Sequence, residues 1–296
     1  MNREGGWHNS IPGVVRRTLE ATFEDNIPFL ASALSFDLLL TTIPFIVLLL
    51  AVVGYLVQHQ ITTHQVSLHE LLARLLPTVS GSSAAGAFQA VERALGDVLR
   101  LRTRLTLFGL PLFLWFSTRL FGGLRAALNE VFDTDERRPW PVAKLLDLAM
   151  VLATGVYLLA NGLLSAYQAR NADVVSQNFV IYWLWRFSME TVTFSLGIGM
   201  FFLVFKLLPS RRIAWGTALV AAAFCSLGFS VARRLYALYV AKFVTFDRLA
   251  SDANVVALLL FLLWIYYTAY LFLLGGEVAE TFDLIRMRRA QRVRLG

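Results

Sequence analysis

Asp37, Arg186 and Glu190 stand well inside apolar runs long enough to cross a bilayer, and their types could do chemistry there. Asp37 is the one charge between Ile27 and Gln58. Arg186 and Glu190 lie i,i+4 in the run from Phe179 to Leu208, on one helical face and within salt-bridge reach of each other. A carboxylate near the bilayer centre costs at least about 2.5 kcal/mol even on lenient insertion scales, so it must face protein or trapped water. An arginine there offers a fixed cation and five donors to an anionic group. At a rise of about 1.5 Å per residue, Asp37 falls about 15 Å in from one side. From the other side Glu190 falls about 16 Å in and Arg186 about 10 Å. In a hydrocarbon core of about 30 Å, Asp37 and Glu190 are therefore expected to meet near the middle. Trp264, Tyr266, Tyr267 and Tyr270 fall near mid-depth, away from the interfacial belts where such residues gather, and are expected to line a cavity. The chemistry this predicts is passage of an amphiphilic or anionic substrate, a small molecule or a lipid. The alternative is a buried ionic network that serves folding alone.

The elements that must hold these groups are helices. Apolar runs recur over 27–58, 105–118, 142–167, 179–208, 213–232 and 254–276, and each is read as one transmembrane helix. The spacing predicts an all-α integral membrane protein of six spans, with amphipathic interfacial helices and an outer helical hairpin. Residues 1–26 form a polar arm, too long and too acidic for a short signal-peptide start, whose Arg16, Arg17, Leu19 and Phe23 suggest a helix on the membrane surface. The membrane domain then covers 27–283, and a basic tail, 284–296, is expected to meet lipid head groups. Pro44 should kink the first span or free a carbonyl near Asp37.

Between the first two spans, apolar residues from Val66 to Leu76 and from Phe88 to Leu99 mark two amphipathic helices joined at Pro77 and Ser80–Ser83. Lys144 and Asp147 sit one turn apart near the start of the third span. Ala218, Ala222, Ser226 and Ser230, spaced by four, form a small-residue seam for close helix packing. Lys and Arg are more numerous on the segments that share a side with the two termini, which predicts that both termini are cytoplasmic.

Composition narrows the function classes. Of 296 residues 57% are hydrophobic and 16% charged, whereas soluble domains hold about 45–50% apolar and about 25% charged residues. The net charge of +7 fits the basic cytoplasmic loops of a polytopic membrane protein, and no nucleic-acid partner is expected. Cys225 is the single cysteine, so there is no disulfide framework. His59, His64 and His69 step by about 140° around a helix and cannot share one face, so no metal and no cofactor is expected. No phosphate-binding glycine loop is present, so any transport would draw on a gradient or a partner. A ribonuclease would need a carboxylate cluster or an acid–base pair open to RNA, and the sequence shows neither; the chain is not read as an enzyme.

Four stretches in order resemble one family. They are Ser35 to Phe45, Phe121 to Asp133, Leu208-Pro209-Ser210-Arg211-Arg212 through Ala218, and Leu263-Trp264-Ile265-Tyr266-Tyr267 through Gly275-Gly276-Glu277. Over about Ala21 to Asp283 their order and spacing are similar to the YihY/BrkB family. The resemblance implies a bacterial inner-membrane protein with six spans, a group labelled in places a tRNA-processing ribonuclease or a virulence factor. Its suggested roles are export of small molecules and movement of lipid. Membrane lipids are the implied surroundings. Where many members carry Tyr or another aromatic in the first motif this chain has Asp37, so a carboxylate mechanism would belong to a subgroup. A non-transporting scaffold or assembly factor is the alternative function, resting on the outer hairpin.

Overall fold

The computed structural model describes residues 11–64, 82–135, 138–175, 179–243 and 253–295. It is built of α1 (Ile11–Glu24), α2 (Ile27–His64), α3 (Ser82–Val131), α4 (Trp140–Val175), α5 (Phe179–Leu207), α6 (Trp215–Phe243) and α7 (Ala253–Leu295). Among the described residues six helices, α2 to α7, are long and apolar enough to cross a membrane. The fold is all-α.

The chain divides into two compact units, one of residues 39–117 and one of residues 1–38 with 118–296. In the smaller unit the far half of α2 and the first part of α3 run antiparallel. Phe45 meets Phe113 with ring centroids 5.9 Å apart, a Cβ on Gly109 would approach Val47 to 3.0 Å, and one on Gly54 would approach Val98 to 3.1 Å. The Arg102 guanidinium lies 5.7 Å over the Tyr55 ring. The amphipathic helix expected over 88–99 and the span expected over 105–118 are therefore parts of one 50-residue helix. The break in hydropathy at Arg100, Arg102 and Arg104 interrupts an apolar run without interrupting the backbone hydrogen bonds. The helix expected over 66–76 lies outside the described residues.

The larger unit is organised from one end. There α1 turns into α2 through Asn26, whose φ of 51° is left-handed, a region asparagine tolerates better than most residues. Its carbonyl then accepts from Phe29 and Leu30 to open α2. α3 closes on Asp133, φ 44°. The Thr134 N–H donates to Asn129 O at 2.8 Å and the Asp133 N–H to Glu130 O at 3.0 Å. This is a Schellman closure with Asp in the place usually held by Gly.

Between α5 and α6 the Asn129 side chain holds the turn, donating to Ser210 Oγ at 3.0 Å and accepting from the Ser210 N–H at 2.8 Å. Arg138 donates to the carbonyls of Leu207 and Pro209. Arg211 reaches Asp283 on α7 at 2.6 Å, and Thr217 donates to the same carboxylate at 3.0 Å. Lys206 donates to Ile213 O and lies over the Trp215 ring.

The core gathers at this same end. Ile27, Leu128, Val131, Phe132, Phe205, Leu208 and Leu273 are fully buried, while Leu159, Leu163, Phe187 and Leu227 along the helices are exposed, as lipid-facing side chains must be. α7 comes close to its neighbours because Gly275 and Gly276 lack side chains. A Cβ on Gly275 would overlap the Cys225 sulfur, and one on Gly276 would stand 2.9 Å from Val131. α1, expected to lie on the membrane surface, packs on α7, with Thr18 and Thr22 buried and a Thr18–Thr281 hydrogen bond at 3.4 Å.

Candidate functional site

Asp37, Glu190 and Asp147 each anchor a set of charged groups on the helices of the larger unit. The first is Asp37 with Arg119, whose Nε donates to Asp37 Oδ1 at 2.9 Å. Gly123, one turn beyond Arg119 on α3, makes room for the carboxylate: a Cβ there would stand 3.0 Å from Asp37 Oδ2. The Asp37 side chain is 15% exposed and that of Arg119 55%.

The second set links α5 to α6. Arg186 donates to the Tyr182 hydroxyl at 3.1 Å and lies over the Trp183 ring. It faces Glu190 at 3.6 Å, and Arg234 on α6 faces the other Glu190 oxygen at 3.8 Å. All three side chains are at least half exposed.

The third set is closed. Arg125 clasps Asp147 with two bonds, 2.7 Å and 3.2 Å, and also donates to Ala143 O at 3.1 Å. Asp147 is fully buried, and Lys144 stands 3.5 Å from it. The Lys144 and Asp147 pair was legible one turn apart in the sequence, but the bidentate partner comes from α3.

Asp37 thus pairs with Arg119, while Arg186 and Glu190 pair with each other and with Arg234. Helix length separates the two sets. α5 has 29 residues, about 43 Å at 1.5 Å per residue, so depths counted from opposite ends of a core of about 30 Å do not land on one level. Counted from the end where the turns are stapled, Asp37 and Arg119 lie about 15 and about 18 Å along their helices, Glu190 and Arg234 about 25 and about 28 Å. The charges form two levels about 10 Å apart.

The aromatic group also divides. Trp264 stacks obliquely on Phe229 and Tyr236 of α6, with centroids 5.5 and 4.8 Å away. Tyr266 stacks with Tyr270 at 6.3 Å. Tyr267 turns outward, 56% exposed. Positions 264, 267 and 270 spread over about 120° of a helix, with Trp264 against α6 and Tyr267 open.

Sequence reasoning missed Arg119, taken only as the end of a span, and it missed Asp25, Glu277 and Glu280. One carboxylate oxygen from each of those three lies within 4.8 Å of the others. Glu277 and Glu280 are i,i+3 and so share a face, the one signal that could have been read.

The profile of the family described as virulence factor BrkB matches residues 18–294. The chain is 26% identical over 287 residues to a UPF0761 membrane protein of Rhodospirillum centenum, covering 95% of this chain and 60% of that one. It is 26% identical over 280 residues to a UPF0761 membrane protein of Ralstonia nicotianae, again 60% of that chain and 94% of this one. A ribonuclease-like protein of Bacillus subtilis, YfkH, is 21% identical over 253 residues, 84% of this chain and 87% of its own. The chain thus spans about 60% of the length of the first and second of these relatives. No solved structure matches it.

Proposed function

The chain belongs to the virulence factor BrkB family and is a polytopic membrane protein, and from that premise we propose that it passes an anionic amphiphile, a lipid or lipid-like molecule with an acidic head group, between the leaflets. One observation carries this reading: charged side chains at two levels of membrane-length helices are left open instead of being buried between helices. Arg119 is 55% and Arg234 72% exposed. Facing hydrocarbon, each such charge would cost at least about 2.5 kcal/mol. Facing a wet groove at the protein–lipid boundary, they offer an acidic head group successive cationic stations about 10 Å apart, while its acyl chains stay in the bilayer. Arg119 keeps Asp37 as its carboxylate partner and Arg234 shares Glu190 with Arg186; a head group displaces the carboxylate on arrival, and the carboxylate reclaims the arginine on departure. Binding at each station stays weak enough to release. Tyr182, Trp183 and Tyr267 supply amphipathic rings along the same route.

In this reading the stapled end faces the cytoplasm of a bacterial inner membrane. The family relation and the basic residues Arg138, Arg211 and Arg212 at that end support this orientation. The test is reconstitution of the full chain in vesicles with a fluorescent acidic phospholipid and a membrane-impermeant quencher. Protein-containing vesicles are expected to expose the inner-leaflet label faster than empty ones, and faster for an acidic than for a zwitterionic head group. A rate equal to that of empty vesicles overturns the proposal.

A further inference from the structure

The corner where α1 meets α2 brings Asp25 against Glu277 and Glu280 of α7. One oxygen from each of the three carboxylates lies within 4.8 Å of the other two. Glu277 is fully buried, and among the described residues no N–H or O–H donates to either of its carboxylate oxygens. What faces it is the Asp25 carboxyl, which like Glu277 is an acceptor unless a proton lies between them.

The surrounding charges add to the deficit. Asp133, Glu130 and Glu24 act on Asp25, and Glu280 and Asp133 act on Glu277. Arg17 and Arg211 exert their pull on Glu280, and the Arg211 guanidinium is already committed to Asp283 and to Phe132 O. A buried carboxylate with no donor is strongly unfavourable, and such groups are found paired or on a metal.

We propose that Asp25, Glu277 and Glu280 form a binding site for a hard divalent cation that ties the α1–α2 corner to α7. This does not rest on the lipid-passage reading. Two oxygens on one ion at about 2.4 Å can be no more than about 4.8 Å apart, so each pair of these carboxylates meets that limit and a small inward shift of the side chains would seat all three on a calcium-type ion. An all-oxygen, all-anionic donor set selects Ca²⁺, Mg²⁺ or Mn²⁺ over softer metals. Glu277, buried against the core, supplies the fixed ligand. Asp25 and Glu280, half-buried, leave the ion a side toward water for entry and for its remaining ligands. An ion there supplies the missing countercharge and fastens α1, which otherwise holds to α7 through polar contacts as thin as Thr18–Thr281.

The test uses the detergent-purified full chain, freed of metal by chelation, with Ca²⁺ or Mg²⁺ alone as the probe. Millimolar divalent cation is expected to raise Tm saturably by about 5 °C or more, with no such rise from NaCl at matched ionic strength. Glu277→Gln is expected to abolish the rise and, in chelator, to melt no lower than the parent, because it removes the uncompensated buried charge. Glu280→Gln, nearer the surface, is expected to weaken the apparent affinity at least about tenfold, a loss of one charged ligand, and it decides the matter if Glu277→Gln does not fold. Glu20→Gln, an exposed acid on α1, is expected to keep the full rise. No rise in the parent chain, or the same rise in Glu280→Gln as in the parent, overturns the proposal. The corner would then be a carboxyl pair holding a proton.

Discussion

Arg119 Nε stands 2.9 Å from Asp37 Oδ1, joining two helices of the larger unit across 82 residues of sequence. The pair is asymmetric: the carboxylate is mostly covered and the guanidinium mostly open. Asp37 therefore serves to hold Arg119 in place, and Arg119 is the group presented to whatever lies outside. Gly123 sets the geometry, since a side chain there would press on the carboxylate.

The buried Arg125–Asp147 clasp is a folding element. Asp147→Ala strands the Arg125 guanidinium, 14% exposed, and is expected to cost about 3 kcal/mol or more, read as a fall in Tm in detergent. Asp147→Asn keeps part of the hydrogen bonding and is expected to cost less. A fall in Asp147→Ala no larger than that of an exposed substitution would show that Lys144 and water make good the loss.

The approach of α7 to α6 depends on Gly275. A Cβ there overlaps the Cys225 sulfur, so Gly275→Ala is expected to destabilise by about 1–3 kcal/mol. Cys225→Ala removes the overlapping atom. The double variant is expected to be more stable than the sum of the single changes predicts, and a thermal double-mutant cycle measures that coupling. Simple additivity would contradict the contact.

Six spans and the all-α class were legible because apolar runs of this length have one physical solution in a bilayer. Asp37 was legible as a residue that needed company. Its partner was not, because depth along a helix says nothing of azimuth, and Arg119 sits where an apolar run ends and was read as a boundary. Glu277 was legible only as the last residue of a glycine-rich motif. Its neighbours come from a corner some 250 residues earlier in the chain, about the same separation as the Thr18–Thr281 contact, which no local period encodes. For the same reason Asp25, Glu277 and Glu280 form a carboxylate cluster in space that shows as none along the sequence.

The ribonuclease question then turns on access. With Glu277 fully buried, purified protein is expected to leave precursor tRNA intact with and without Mg²⁺ or Mn²⁺. Cleavage that survives purification and is lost in Glu280→Gln would show a hydrolytic site.

Orientation is open to a direct reading. A reporter active only in the cytoplasm is expected to work when fused after Arg289 and to fail when inserted within Ser80–Ser83, as the cytoplasmic-termini reading requires. The reverse pattern would turn the stapled end outward.

The most direct test of the account is the transbilayer rate of a fluorescent acidic phospholipid in vesicles carrying Arg119→Gln or Asp37→Asn, each checked for an unchanged size-exclusion profile. If Arg119 is a station for the head group and Asp37 its holder, Arg119→Gln is expected to slow the protein-dependent rate by about tenfold or more, equivalent to about 1.4 kcal/mol. Asp37→Asn is expected to slow it less and to weaken the preference for acidic over zwitterionic head groups. Rates and head-group preference equal to those of the parent in both variants would contradict the account and leave the pair a structural one.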